Sequence, residues 1–153
     1  MKTTKGQLGI YHMMIVSRFF ETIQDFINLE ISTPKAKGNM SKFHYNPISL
    51  DTWSRTLFTS LETLHLYSKE DEHFPEEHFF KKIIHYEIPY SEKWAGNKKE
   101  NEEYKDVVLD KDTAKKLGKI PEGVTRIGKG CFYGNDEVTE IIMPNSVTSI
   151  GEN

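Results

Sequence analysis

Leu8, Tyr11, Ile15 and Phe19 recur at three- and four-residue steps, which predicts a first helix with one buried stripe. Thr22 followed three positions later by Asp25 has the form of an N-cap with an acidic first turn, and Ile23, Phe26, Ile27 and Ile31 supply the buried face of a second helix. Pro34 and Gly38 close that helix, the polar stretch 32–39 is a connection, and Asn46-Pro47 marks a turn. Asp51 predicts the N-cap of a short third helix that turns Trp53, Leu57 and Phe58 inward.

Beyond Ser60 the period changes. Leu61, Leu64 and Leu66 follow the order apolar, two others, apolar, one other, apolar, and the last two alternate as strand residues do. The spacing returns at Ile83, Tyr86 and Ile88, at Tyr104, Val107 and Leu109, and at Val138, Ile141 and Met143, with start-to-start steps of 22, 21 and 34 residues. The residues between them, Thr63, His65, His85, Glu87, Asp106, Val108, Glu140 and Ile142, are expected to face the open side of the strands as a partner-binding face.

The clearest internal repeat lies near the end. Ile120-Pro121-Glu122-Gly123-Val124-Thr125-Arg126-Ile127-Gly128 is echoed by Met143-Pro144-Asn145-Ser146-Val147-Thr148-Ser149-Ile150-Gly151, with Pro, Val, Thr, Ile and Gly recurring at an offset of 23. A fixed period of about 20 to 30 residues is the signature of a solenoid, each unit supplying a short strand and a turn. The repeat core is expected to be Ile120, Val124, Ile127, Phe132, Asn135, Val138, Ile141, Met143, Val147 and Ile150, with Gly128 and Gly151 at turns that a side chain would obstruct. The pattern predicts an α+β fold: a helical N-terminal cap over residues 1–60, a degenerate leucine-rich-repeat-like segment over 61–119, and repeats over 120–153, together an irregular, β-solenoid-like segment. The second copy stops after 11 residues, which reads as a fragment of a longer repeat protein.

Composition narrows the function. A hydrophobic share of 37%, 28% charged residues and a net charge of −3 describe a globular chain and not a bulk nucleic-acid binder, and the short basic pairs such as Lys98-Lys99 sit beside acids. The first 60 residues hold seven Lys/Arg against four Asp/Glu, the remainder 13 against 19, and neither part carries a basic stripe. No apolar run reaches the roughly 20 residues of a membrane span, and the N-terminus lacks a signal-peptide cleavage site, so the sequence reads as cytoplasmic.

Candidate chemistry is sparse. Cys131, the sole cysteine, falls on a core position of the repeat, where a thiol is inert. His73 and His78 have the wrong spacing for a zinc helix and flank Pro75, so they read as an acidic, solvated loop. His65, His85 and Glu87 on adjacent strands would approach one another, and their reading is a polar binding face without metal, catalytic residue or cofactor. Trp94 is expected to anchor the charged run 92–105.

Residues 120–151 resemble the BspA-type leucine-rich repeat: Cys131-Phe132 falls on that pattern's Ala/Cys-Phe step, Asn135 on its Cys/Asn step, and Val138, Ile141 and Met143 on its strand. Tyr11-His-Met-Met-Ile-Val-Ser, Asp25-Phe-Ile-Asn-Leu-Glu, Lys42-Phe-His-Tyr-Asn-Pro-Ile and Leu61-Glu-Thr-Leu-His-Leu-Tyr-Ser look like the N-terminal region of BspA-like proteins of parasitic amoebae. The resemblance implies a surface-associated adhesion or recognition protein that binds a protein partner through its repeat surface. Residues 8–43 are also weakly similar to an F-box, which implies, as the alternative, a substrate adaptor of a ubiquitin ligase. Either way the expectation is protein–protein interaction and not enzymatic turnover.

Overall fold

The structure, a computed structural model, describes residues 9–91, 99–134 and 140–151. The chain divides into two compact units, Met1–Lys82 and Ile83–Asn153.

In the first unit, α1 (Ile10–Ser17) follows Gly9, and α2 (Ile23–Ser32) opens on a complete capping box. The Asp25 carboxylate accepts the Thr22 N–H at 3.0 Å while the Thr22 hydroxyl oxygen accepts the Asp25 N–H. Both helix-start donors that would otherwise lack partners are therefore satisfied by side chains. The third helix, α3 (Thr52–Arg55), repeats the device with Asp51 and Ser54. The hydrogen bonds from Ser54 hold the Asp51 carboxyl below its ordinary range. Both caps stand where the sequence pattern put them.

The stripe of α1 does not. Met13 and Ser17 are buried, Tyr11 and Phe19 are exposed, and Leu8 lies outside the described residues. The buried contact of this short helix is partly polar: the Ser17 hydroxyl donates to Met14 O and accepts from Asn39 Nδ2 at 2.8 Å, with both residues fully buried. Hydrophobic periodicity carries no trace of such a contact. Ile31 and Trp53, expected inside, are exposed as well. The core forms around Phe26, Phe43 and Phe58, whose rings meet edge to face at centroid distances of 5.5 to 6.0 Å. Pairs of this kind contribute about 1 kcal/mol each beyond area burial. The polar connection after α2 is tied down by Glu30, whose carboxylate accepts the N–H groups of Gly38 and Met40.

The strands are β1 (Thr63–Leu66), β2 (Lys81–Pro89), β3 (Glu102–Leu109), β4 (Arg126–Ile127) and β5 (Ser149–Ile150), in one sheet whose order follows the chain. The pairs β3/β4 and β4/β5 are parallel. Between β3 and β4 runs α4 (Lys111–Leu117), capped at its start by Asp110 accepting the Thr113 N–H and closed by Gly118 in the left-handed conformation.

These facts overturn the α+β expectation of a helical cap followed by an irregular leucine-rich, β-solenoid-like segment. The chain is a small α/β protein with a five-stranded sheet and several helices, and no solenoid is indicated among the described residues. The reason is physical: parallel strands need a crossover, and any strand followed by a crossover recurs about every 20 residues, whether it belongs to a repeat or to an α/β sheet. Two strands are also much longer than a repeat turn supplies, nine residues in β2 and eight in β3.

The 23-residue offset nevertheless has a structural meaning. Arg126 pairs with Ser149 and Ile127 with Ile150, so the sequence offset is the register of β4 against β5. The backbone bonds repeat as well. Thr125 N–H donates to Val107 O and Gly128 N–H to Leu109 O, and one strand further Thr148 N–H donates to Thr125 O and Gly151 N–H to Ile127 O. Both glycines mark close backbone approach: a Cβ on Gly128 would lie 2.8 Å from Leu109 O, and one on Gly151 2.8 Å from Lys129 N. Leu109, Ala114, Ile120, Val124, Ile127 and Cys131 form the second unit's core, with Phe132 and Val147 packed against it.

Candidate functional site

Two groups of side chains stand out, one in each unit. In the second unit Arg126 extends from β4 towards acids on β2 and β3. Its guanidinium donates to Glu87 Oε2 at 2.6 Å, to Asp106 Oδ2 at 2.7 Å and, through Nε, to Asp106 Oδ1 at 3.2 Å. The bond to Asp106, followed by its charge and that of Glu87, raises the guanidinium's pKa further, so Arg126 keeps its charge at any physiological pH. Val108 lies opposite Arg126 in register, and Ser149 opposite it on β5. Of the expected binding face, Glu87, Asp106 and Val108 thus come together around a residue, Arg126, that the strand spacing did not single out.

The remaining positions fall elsewhere. His85 is part-buried on β2, and burial, with the charge of Lys105, lowers its pKa, which keeps the ring neutral near pH 7. Glu140 and Ile142 are exposed beside a cleft of about 620 Å³ formed with Ile120, Pro121, Met143 and Pro144. Among the repeat-core positions, Ile120, Val124 and Ile127 are buried, and Phe132 and Val147 are partly so. Ile141, Met143 and Ile150 are exposed, which corrects their assignment to the core. Asn135, Val138 and Trp94 lie outside the described residues.

In the first unit Thr63 and His65 sit on β1 with their neighbours Leu64 and Leu66 buried, as the alternation predicts. His65 is held from every side. The Asn46 carboxamide, fully buried, accepts the His65 N–H at 2.7 Å and donates to His65 O at 2.7 Å. The imidazole stacks on Tyr45 at 5.0 Å with an interplanar angle of 26°, and its Nδ1 lies 3.3 Å from Tyr67 Oη. The Tyr67 phenol donates to Asn46 O, and burial, with charges on Tyr45 and Asp71, pushes its pKa up to about 12. Arg18, immediately after α1, donates Nε to Tyr45 Oη at 2.6 Å and lies 5.5 Å from that ring's centre.

No group of three or more His, Cys, Asp or Glu side chains able to hold a metal occurs among the described residues. His73 and His78 are exposed on a loop whose Glu77 pairs with Arg55 at 2.5 Å. Burial raises the pKa of the Cys131 thiol, which donates to Leu109 O and so serves the backbone ladder. No described helix is long and apolar enough to cross a membrane. Comparison with known protein families, curated proteins and solved structures finds no match to this chain.

Proposed function

We propose that this chain is a protein-recognition protein, which binds by surface complementarity and makes or breaks no covalent bond. The observation that carries the reading is the apolar surface on residues 141–150, where Ile141, Ile142, Met143 and Ile150 are all exposed. Apolar side chains scattered singly are ordinary on a protein surface, whereas four exposed within ten residues, two of which, Ile142 and Met143, line a cleft of about 620 Å³, offer apolar area for a partner to cover. The charged row Glu87, Asp106 and Arg126 supplies the polar contacts that fix register and orientation in such an interface.

The test uses the full chain as bait in parallel with the double variant Ile142→Asp, Met143→Asp. Both positions are exposed, so the variant is expected to keep the wild-type circular dichroism spectrum and unfolding midpoint. Partners retained by the wild type should be lost from the variant. Recovery of the same proteins by both would remove this surface as the binding site. Labelling of intact cells with a membrane-impermeant reagent tests the surface-associated form of the proposal.

A further inference from the structure

Arg18, Phe19, Tyr45, Pro47, His65 and Tyr67 line a cleft of about 370 Å³ in the first unit. Its charge is one-sided. The lining includes one guanidinium and no carboxylate. The nearby Asp71 carboxylate is occupied, because it accepts the N–H groups of Tyr67 and Ser68. Among the described residues the only side-chain partner of Arg18 is the Tyr45 phenol, reached through Nε. The two terminal nitrogens of the guanidinium remain available.

The walls of the cleft are tied to one another. Tyr45 is stacked on His65, Tyr67 is bonded to Asn46 O, and the buried Asn46 carboxamide fixes the backbone of His65 on both sides. A preformed wall lowers the entropy lost on binding. Phe19 lies exposed at the margin and offers an apolar platform.

From this juxtaposition we infer that the cleft is a binding site for a carboxylate carried next to an aromatic or large apolar group. The carboxylate would lie against the Arg18 terminal nitrogens, and the apolar group would cover Phe19 and the Tyr45–Pro47 wall. A planar guanidinium matches the two oxygens of a carboxylate, and a single cation balances one negative charge, whereas a phosphate dianion would call for a second. The chemistry has two sources, a free aryl or alkyl carboxylic acid and the last residue of a peptide with its terminal carboxylate. This site is independent of the surface at residues 141–150.

The experiment is a calorimetric titration of the full chain with N-acetylphenylalanine and with its amide, alongside a short peptide ending in phenylalanine with a free or an amidated terminus. The free acid should bind at least about tenfold more tightly than the amide, as a charge-assisted hydrogen bond demands. Arg18→Gln should abolish that preference without moving the unfolding midpoint, since the side chain is exposed. Phe19→Ala should weaken acid and amide alike. Tighter binding of the free-ended peptide than of the small acid assigns the site to chain termini, and the converse assigns it to small carboxylic acids. Absence of binding, equal affinity for acid and amide, or a preference that survives Arg18→Gln overturns the inference. The Ile142→Asp, Met143→Asp variant should bind both probes as the wild type does, which separates a failure here from a failure of the recognition surface.

Discussion

Ile127 and Ile150 occupy equivalent positions in two copies of one motif and face each other in register, yet Ile127 is 4% exposed and Ile150 is 64% exposed. The preceding pair behaves alike, with Ile120 at 5% and Met143 at 47%. The backbone does not distinguish the copies, because the same Thr and Gly amides donate to the preceding strand in each. What differs is the layer outside. The first copy has the second lying against it, while the second offers its outer side without a described neighbour. A repeated motif therefore specifies a pairing geometry, and burial is decided by what happens to pair next.

The largest expected contrast is between Ile127→Ala, which should cost about 3 kcal/mol in a urea unfolding titration, and Ile150→Ala, which should cost less than about 0.5 kcal/mol. Equal costs would mean that the second copy is covered in solution, and the contrast would then collapse. Next come the glycines. Gly128→Ala should destabilise by about 2 kcal/mol because the new methyl meets Leu109 O, and Gly151→Ala by about 1 kcal/mol because the outer strand can shift away. Smaller again is the threonine pair. Thr125 Oγ1 accepts the Val107 N–H at 2.7 Å and donates to Val107 O, so Thr125→Val should cost about 1 kcal/mol. Among the described residues the exposed Thr148 hydroxyl donates only to Thr125 O, and Thr148→Val should cost about 0.3 kcal/mol. Of similar size is the effect of the ion pairs that the second copy lacks, since Ser149 stands where the first has Arg126. Arg126→Gln should lower stability by about 0.5 kcal/mol at low salt and by less at high salt, because the side chain is over a third exposed.

The features legible in the sequence are those whose cause is local. The caps at Thr22 and Asp51 depend on a partner three residues away, and the strand register of the final repeat depends on an offset visible by inspection. Helix α4 had the same kind of signal, an Asp110 start with Lys115 and Lys116 in the last turn and Gly118 beyond, within a stretch read as repeat-like. In β2 the spacing pointed to Ile83, whereas Ile84 is the buried residue, because alternation along a nine-residue strand decides which side chains face inward. The candidate sites depended on distant pairs. Arg18 reaches Tyr45 across 27 positions, Asn46 reaches His65 across 19, and Arg126 reaches Glu87 across 39. Periodicity holds no information at those separations. The exposed Ile141, Met143 and Ile150 are a third kind of miss, since a core position and an exposed apolar position are written with the same residue types.

Asn46 has a consequence beyond the cleft it supports. Its carboxamide presents one donor and one acceptor to the main chain of His65, in the arrangement that a peptide unit of a neighbouring strand would present. Beside it Tyr45 bridges Thr63 in parallel, and His44 O accepts the N–H groups of Glu62 and Thr63. The margin of β1 is thus occupied by a counterfeit strand one side chain long, and a foreign chain that tried to extend the sheet there would find its hydrogen-bonding groups already taken. A single buried asparagine thus satisfies the main chain of His65 as a paired strand would.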